Sequence, residues 1–408
     1  MAFIDFILYF AIFFGLFTGI FFILTFFENK KYIADPKASK FPKVSIIVPA
    51  YNEEKTIKKT LNSLLNVNYP KDKLDIIFVD DGSKDNTLEK AKEYEKFGVR
   101  IFHKENGGKA SALNLGLEKA KGELVAALDA DSFVSKNSVM NMVGYFEDSE
   151  VMAVTPTLKI YNPKTLWQKI QVTEYLFGVF LRKVFSFMGS LHVTPGPLTI
   201  YRKSFFDKYG NYDEGNLTED IEVALRIQSK GYVIENSMNA DVYTLGPPTF
   251  KKLIRQRRRW YRGFLDNVFA YPELFNPKHG NLGLFILPAA FISVIVVFAL
   301  VSYWAYNFLS NVFLHLITEP EFFLIKLNLF ITNIPSTLLT YTIKPLIPLS
   351  VILTLIGLTY LLLAKVYSNE KQSIKIPYIS YLIFYGVLFA SWWSVAIFSK
   401  IFNMKIKW

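Results

Sequence analysis

No charged residue interrupts the chain from Phe6 to Phe27. Those 22 residues, at about 1.5 Å each, extend about 33 Å as a helix, enough to cross a hydrocarbon core. The only earlier charge is Asp5, and the run ends in Phe26-Phe27-Glu28 with no small-residue cleavage site. The pattern therefore predicts a retained transmembrane helix and not a signal peptide. Three more apolar runs, at about 283–307, 345–364 and 377–399, predict membrane helices behind a long middle section of mixed composition. Segment 321–342 is apolar but broken by Lys326, Asn328, Asn333 and Pro335, and reads as interfacial or re-entrant. Lys30, Lys31 and Lys37 follow the first run, and Lys365, Lys371 and Lys375 separate the last two. Both sets predict a cytoplasmic middle section, four spans and external termini, although Lys400, Lys405 and Lys407 pull the C-terminus the other way.

The middle section, about 40–275, alternates between two periods. Val44–Val48 is a β-branched run that stops at Pro49, and Ile57, Leu61, Leu64 and Leu65 then recur at helical spacing. The same alternation repeats with a strand at Leu74–Val79 and a helix at Thr87–Phe97. It repeats again with a strand at Val99–Phe102, a helix at Lys109–Lys121 and a strand at Leu124–Leu128. Such alternation predicts an α/β domain with a mostly parallel sheet and right-handed crossovers. The organisation is thus an N-terminal membrane helix (1–28), a cytosolic α/β domain (40–275) and C-terminal membrane helices (283–400). In such sheets ligands bind beyond the carboxyl ends of the strands. The residues there are Tyr51-Asn52-Glu53, Asp80-Asp81, Lys109, and Asp129 with Asp131. Carboxylates from three strand ends share one crevice only if something offsets their repulsion, and a divalent cation with a nucleotide ribose or base would do so.

Composition narrows the chemistry. The 408 residues contain no cysteine, which excludes disulfides, thiolate zinc sites, iron–sulfur clusters and a cysteine nucleophile. Four histidines without HExxH spacing argue against a histidine metal site. The net charge of +11 suits nucleic acid, anionic lipid or a phosphorylated substrate, and position has to decide among them. Asp129-Ala130-Asp131 sets two hard oxygen donors about one small residue, which suits Mg²⁺ or Mn²⁺ also held by substrate phosphates, or else a pair of turn and cap aspartates. Asp80-Asp81-Gly82-Ser83 also has the chemistry of a turn and cap. Lys109, behind two glycines at a helix start, could meet a pyrophosphate or be an ordinary first-turn lysine. Thr218-Glu219-Asp220 reads as an N-cap with first-turn acids, one of which could instead be a general base. Arg255, Arg257, Arg258, Arg259 and Arg262 fall within eight positions, beside Gln256 and Trp260. Nucleic acid is an unsuitable partner for a basic run so close to a membrane segment. Lipid headgroups or a leaving diphosphate fit better.

In this order, and between membrane helices, the motifs resemble those of the membrane-embedded, processive family-2 glycosyltransferases. That family includes hyaluronan synthases, bacterial cellulose synthase and poly-N-acetylglucosamine synthases. The resemblance covers about 43–268: Val44–Glu54 with Asp80-Asp81-Gly82-Ser83, then Asp129-Ala130-Asp131, then Thr218-Glu219-Asp220, then Gln256–Trp260 as QxxRW. It implies a GT-A (Rossmann-like) fold. It also implies Asp80 and Asp81 as a nucleotide-binding pair, Pro49 and Glu53 in a uridine pocket, Lys109 on the pyrophosphate, Asp129 on the nucleoside and Asp131 on the metal. Asp220, beside Glu219, would be the base of an inverting transfer that gives a β-linkage. Gln256, Arg259 and Trp260 would hold the diphosphate and position the acceptor. Thr194–Leu198 resembles an acceptor-site stretch, and is equally a proline-rich turn into the strand Thr199–Tyr201.

Leu166–Phe187, with Trp167, Ile170, Tyr175, Leu176, Val179 and Phe180, and the segment around 254–264 are amphipathic and suit helices lying against the bilayer. For the first, an ordinary core-packed helix is the alternative. The family's polymer secretors usually carry more membrane helices than the four counted here. The expected function is metal-dependent transfer from a nucleotide sugar, UDP-linked by resemblance, to a growing polysaccharide at the cell membrane. The rival expectation is transfer of one sugar to a lipid, either a polyprenyl phosphate or diacylglycerol.

Overall fold

The computed structural model describes residues 3–318 and 346–404. The segment 321–342, read above as interfacial or re-entrant, lies outside them. The strands expected at 44–48, 74–79, 99–102 and 124–128 form as β1 (Val44–Ala50), β2 (Leu74–Asp80), β3 (Arg100–His103) and β4 (Leu124–Ala127). The strand expected at 199–201 forms as β7 (Ile200–Arg202), and three strands not expected from the sequence complete the sheet: β5 (Ser132–Val134), β6 (Val151–Ile160) and β8 (Val233–Thr244). The order is β3-β2-β1-β4-β7-β6-β8-β5. β1 to β4 run parallel, with Val44 opposite Leu74 and Leu124. β7 is antiparallel to β4 and β6. All seven residues of β1 are buried. Both faces are covered, so the strand shows no polar alternation. Ile46 and Val48 enter one core with Ile57, Leu61 and Phe78, and Ile47 enters the other with Ile77, Leu113 and Val125, as a period of two requires.

The crossover helices are α2 (Ile57–Leu65), α3 (Thr87–Lys92) and α4 (Lys109–Lys119), with α5 (Ser138–Val143) further along the chain. The helix expected at 87–97 stops at Lys92; a 3₁₀ turn, Glu95–Phe97, leads to Gly98 at φ 86°. α6 (Leu166–Phe187) opens on a capping box formed by Thr165 and Gln168. Much of its apolar face is covered by protein. Ile170, Leu176, Val179 and Phe180 are buried, packed between the domain and the membrane helices. α7 (Lys203–Tyr209), α8 (Glu219–Ser229) and α9 (Phe250–Ala270) complete the domain.

Among the described residues, four helices are long and apolar enough to cross a membrane: α1 (Phe3–Glu28), α10 (Leu287–Thr318), α11 (Leu346–Tyr367) and α12 (Lys375–Ile401). Phe13, Leu24, Ile295, Ile383 and Val387 stand exposed on three of them, the apolar surface a bilayer would cover. α1 and α11 pack closely, with Tyr360 Oη donating to Gly19 O at 2.9 Å and Phe26 set against Tyr367 at 5.2 Å. The turn between α11 and α12 docks on the domain. Buried Lys159 donates to Ser368 O at 2.6 Å and pairs with Asp241 at 2.8 Å, and Gln372 donates to Ile160 O at 3.0 Å. α12 then follows α6 and α9. Tyr381 stacks on Phe177, Trp393 meets Tyr261 at 4.6 Å, and Lys400 pairs with Asp266 on α9.

Candidate active site

The carboxyl ends of β1 to β4 open into one cavity of about 1540 Å³ that continues between α6, α9, α10 and α12. Pro49, Tyr51, Glu53, Asp81, Lys109, Asp129 and Asp131 line its domain end. Glu219, Asp220, Gln256, Arg259 and Trp260 line its middle, and Phe291, Val294, Ile295, Phe389, Ile397 and Ile401 its membrane end. Of the acids singled out from sequence, Asp80 does not reach it. As the last residue of β2 it is fully buried; its Oδ2 meets His103 Nδ1 at 2.7 Å and accepts from Ser83 N at 3.2 Å. Asp81 reaches the cavity but is engaged with the loop above it. It accepts from Lys104 Nζ, Asn106 Nδ2, Gly107 N and Gly108 N at 2.8 to 3.2 Å. The expected nucleotide-binding pair is thus one buried prop and one loop organiser facing the cavity. Gly82, at φ 75°, is needed here because a Cβ would lie 2.8 Å from Asn106 N.

Lys109 joins the acids of two distant motifs, pairing with Asp129 at 2.7 Å and Glu219 at 2.8 Å. Burial pushes its ammonium down, but Asp129, Glu219 and Asp220 together hold it well above its ordinary value. Part of the expected carboxylate repulsion is therefore offset by the chain itself. Asp131 is left with less compensation. Burial, then Asp129 and Glu53, push it up to about 7. Glu53 is also raised, by burial and by Asp129 and Asp85, against a 2.8 Å hydrogen bond from Thr56. Among the described residues no three acids or histidines close into a metal cage. Asp129 and Asp131 nonetheless fit a hard divalent cation that takes its remaining oxygens from substrate phosphates and water.

Asp220 stands in the first turn of α8, with its Oδ1 accepting from Ile221 N at 2.9 Å. Burial first, then Glu219, push it up to about 6, while Lys109 and Arg259 oppose the shift. Thr218 is the N-cap residue, as expected, but its side chain makes no cap hydrogen bond. Instead Thr218 Oγ1 accepts from Asn267 Nδ2 of α9 at 3.0 Å, tying the two helices together. The Thr194–Leu198 stretch forms the expected turn and borders the cavity. Thr194 Oγ1 donates to Asp220 O at 2.6 Å, Pro195 to Pro197 line the cavity, and Thr199 closes the turn on Pro195 O at 2.6 Å.

Gln256, Arg259 and Trp260 share one face of α9 at the spacing i, i+3, i+4. Sequence reading left Arg257 unassigned. It is fully buried, stacks on Trp260 at 4.1 Å, donates to Gln256 Oε1 at 3.0 Å and pairs with Glu174 of α6 at 2.5 Å. A basic residue inside an otherwise solvated-looking run was its only signal in the sequence.

Residues 45–210 match the family model described as "Glycosyl transferase family 2". The poly-beta-1,6-N-acetyl-D-glucosamine synthase of Staphylococcus aureus (strain COL) is 35% identical over 241 residues, covering 58% of this chain and 57% of that protein. A Bacillus subtilis (strain 168) protein described as "Probable glycosyltransferase YdaM" is 34% identical over 233 residues, covering 55% of this chain and 56% of its own. The chain spans little more than half the length of these relatives. The mannosyltransferase PcManGT from Pyrobaculum calidifontis, in complex with GDP-Man and Mn2+, shares the fold, with a TM-score of 0.53 at 19% identity over 90% of this chain and 100% of that one.

Proposed function

We propose that this chain, built on a family-2 glycosyltransferase domain, transfers a sugar from a nucleotide donor to a membrane-held acceptor with inversion at the anomeric carbon. One observation carries the reading: strand-end acids, a buried helix-start acid and the basic face of α9 line a single cavity that continues among the membrane helices. The nucleoside would lie over Pro49, Glu53 and Asp129, with Asp81 holding the loop beside it. Asp131, with Asp129, would hold Mg²⁺ or Mn²⁺, which when bound supplies positive charge to the donor's diphosphate. Lys109, Gln256 and Arg259 add donors for the same anion. Asp220 takes the proton of the acceptor hydroxyl, and that oxygen attacks the anomeric carbon opposite the diphosphate. The carbon–oxygen bond to the diphosphate breaks, and its electron pair leaves with the nucleoside diphosphate. Glu219, paired with Lys109, keeps a second negative charge beside the base, so that Asp220 titrates in a range suited to general-base work. Trp260 offers an aromatic face for the acceptor sugar.

Two acceptors have support. A growing β-linked polysaccharide is supported by the synthase relative from S. aureus. A lipid-borne acceptor is supported by the apolar membrane end of the cavity. Purified protein with Mn²⁺ and a radiolabelled panel of UDP- and GDP-sugars tests both readings. Label in high-molecular-weight material that is lost in Asp220→Asn supports the first, and label in a chloroform-soluble product supports the second. Absence of transfer and of donor hydrolysis with every donor would overturn the enzymatic reading.

A further inference from the structure

Arg182 has no part in that account. It lies on α6 with Glu174, Tyr175, Gly178 and Leu181, the stripe of that helix that walls the cavity. Its Nε and Nη2 are shut off from solvent and neither meets a hydrogen-bond acceptor. Among the described residues no carboxylate pairs with it. Burial pushes it down to about 10, and the Tyr175 hydroxyl that opposes this is itself pushed up to about 12, so it carries no counter-charge at working pH. The other cations of this region are matched within the chain: Lys109 by Asp129 and Glu219, Arg257 by Glu174, and Lys400 by Asp266. A guanidinium does not shed its proton at working pH, so a desolvated one without a counter-charge is a standing cost until an anion arrives. The Arg182 guanidinium lies along α6 over Gly178, where a Cβ would come within 3.0 Å of its Nη1, and the residue lines the cavity. Tyr175, on the same stripe, lines the cavity that Asp131 also faces.

We infer that Arg182 is a buried anion seat that holds the phosphate of a lipid-linked saccharide acceptor, leaving the saccharide to reach Asp220 and the hydrocarbon to run out between α10 and α12. The inference rests on the transfer reading above and names its acceptor class. A neutral saccharide chain would leave the guanidinium unmatched and set hydroxyls against Val294, Ile295 and Ile397. A phosphate offers the guanidinium a counter-charge and a charge-assisted hydrogen bond, and a hydrocarbon suits those walls.

The test is binding by the full chain in phosphatidylcholine nanodiscs, with farnesyl phosphate as probe and farnesol as its uncharged match. The wild type is expected to bind farnesyl phosphate at least tenfold more tightly than farnesol. Arg182→Gln should erase that difference and leave UDP and GDP binding unchanged. Arg182→Lys, which keeps the charge, should retain part of it and guards against a glutamine variant that fails to fold. Equal wild-type affinity for the two probes would overturn the inference. So would a variant that loses nucleotide rather than lipid phosphate, since the anion would then be the donor's. A variant that alters only thermal stability would make Arg182 a packing residue and overturn it as well. No turnover is involved, so a chain inactive with every donor would defeat the transfer reading while this measurement still stood or fell by itself.

Discussion

Gly263→Ala tests how the acids of α8 are held against the basic face of α9. Gly263 lies three residues beyond Trp260 and faces Thr218, which immediately precedes Glu219 and Asp220. A Cβ at Gly263 would lie 2.2 Å from Thr218 Oγ1, 2.5 Å from its Cγ2 and 2.9 Å from its Cβ. Ordinary contact begins near 3.4 Å, so the two elements must part by about an ångström. Thr218 is poorly placed to turn aside. Its Oγ1 and O both accept from Asn267 Nδ2, and its N–H donates to Asn216 Oδ1 at 3.0 Å. Glycine to alanine inside a helix stabilises by about 1 kcal/mol, and overpacking costs about 1–3 kcal/mol. The net loss of stability is therefore about 0–2 kcal/mol, which the fold tolerates. An ångström of misplacement between base and substrate clamp can cost about 100-fold in rate. The expected result is a folded protein with a small change in thermal midpoint and a transfer rate lower by about two orders of magnitude. Adding Thr218→Ala, which removes the two nearest atoms, should restore part of it. Thermal unfolding and initial-rate transfer on the same preparation decide the matter. A Gly263→Ala enzyme with the wild-type rate would refute the idea that this contact sets the register.

Asp220 acts as a base only when ionised, so kcat/KM should fall about tenfold per pH unit below about 6, and Asp220→Asn should lower transfer about 10²- to 10⁴-fold while nucleotide still binds. The same shift has a sign for stability. The fold binds this proton more tightly than the unfolded chain does, so its contribution is complete below the ordinary value of 3.8 and is lost as pH rises through about 6. Asp131→Asn should abolish any Mn²⁺-dependent rise in thermal midpoint without unfolding the protein; an unchanged Mn²⁺ response would place the cation elsewhere. Lys159→Ala leaves the partly buried Asp241 and the buried Glu370 without their cation and should destabilise by about 3–5 kcal/mol, more than Glu370→Gln, whose carboxylate stands 3.8 Å away. Arg257→Lys loses the planar stack on Trp260 and should raise the acceptor KM about tenfold with the donor KM unchanged; equal changes in both would show that Trp260 does not position the acceptor.

The first half of the sheet is legible because β1, β2 and β4 are apolar runs that end in turn chemistry. β6 and β8 are not. β8 carries Asn236 and Ser237 fully buried, with Asn236 Nδ2 donating across the ladder to Thr155 Oγ1 and Ser237 Oγ accepting from Ala240 N, so no hydrophobic pattern marks it. The site acids are legible because the order of their motifs is specific, but the sense in which each acts is not. Asp80 and Asp81 are adjacent in sequence and opposite in exposure to the cavity, because successive side chains at a strand end point to opposite faces. Lys109 reads as an anion contact when taken alone. Only the fold brings Glu219, 110 positions later, to within 2.8 Å of it.

The same dependence on long-range packing makes the membrane helices part of the site. Trp260 takes its plane from Arg257, and Arg257 is fixed from two sides, by Glu174 of α6 and by Trp392 of α12 at 5.4 Å. The indole read as a motif residue of the cytosolic domain is therefore oriented by a helix that begins more than a hundred residues later. α12 reaches that position because its preceding turn is anchored on Lys159 and Ile160 at the ends of the domain's strands, and its far end on Asp266. Anchors at both ends of one helix, with Trp260 held between them, fix the distance between the strand-end acids and the apolar helices. Neither the domain nor the helices fix that distance alone, so solubilising the domain by removing α12 would release Trp260 along with the membrane.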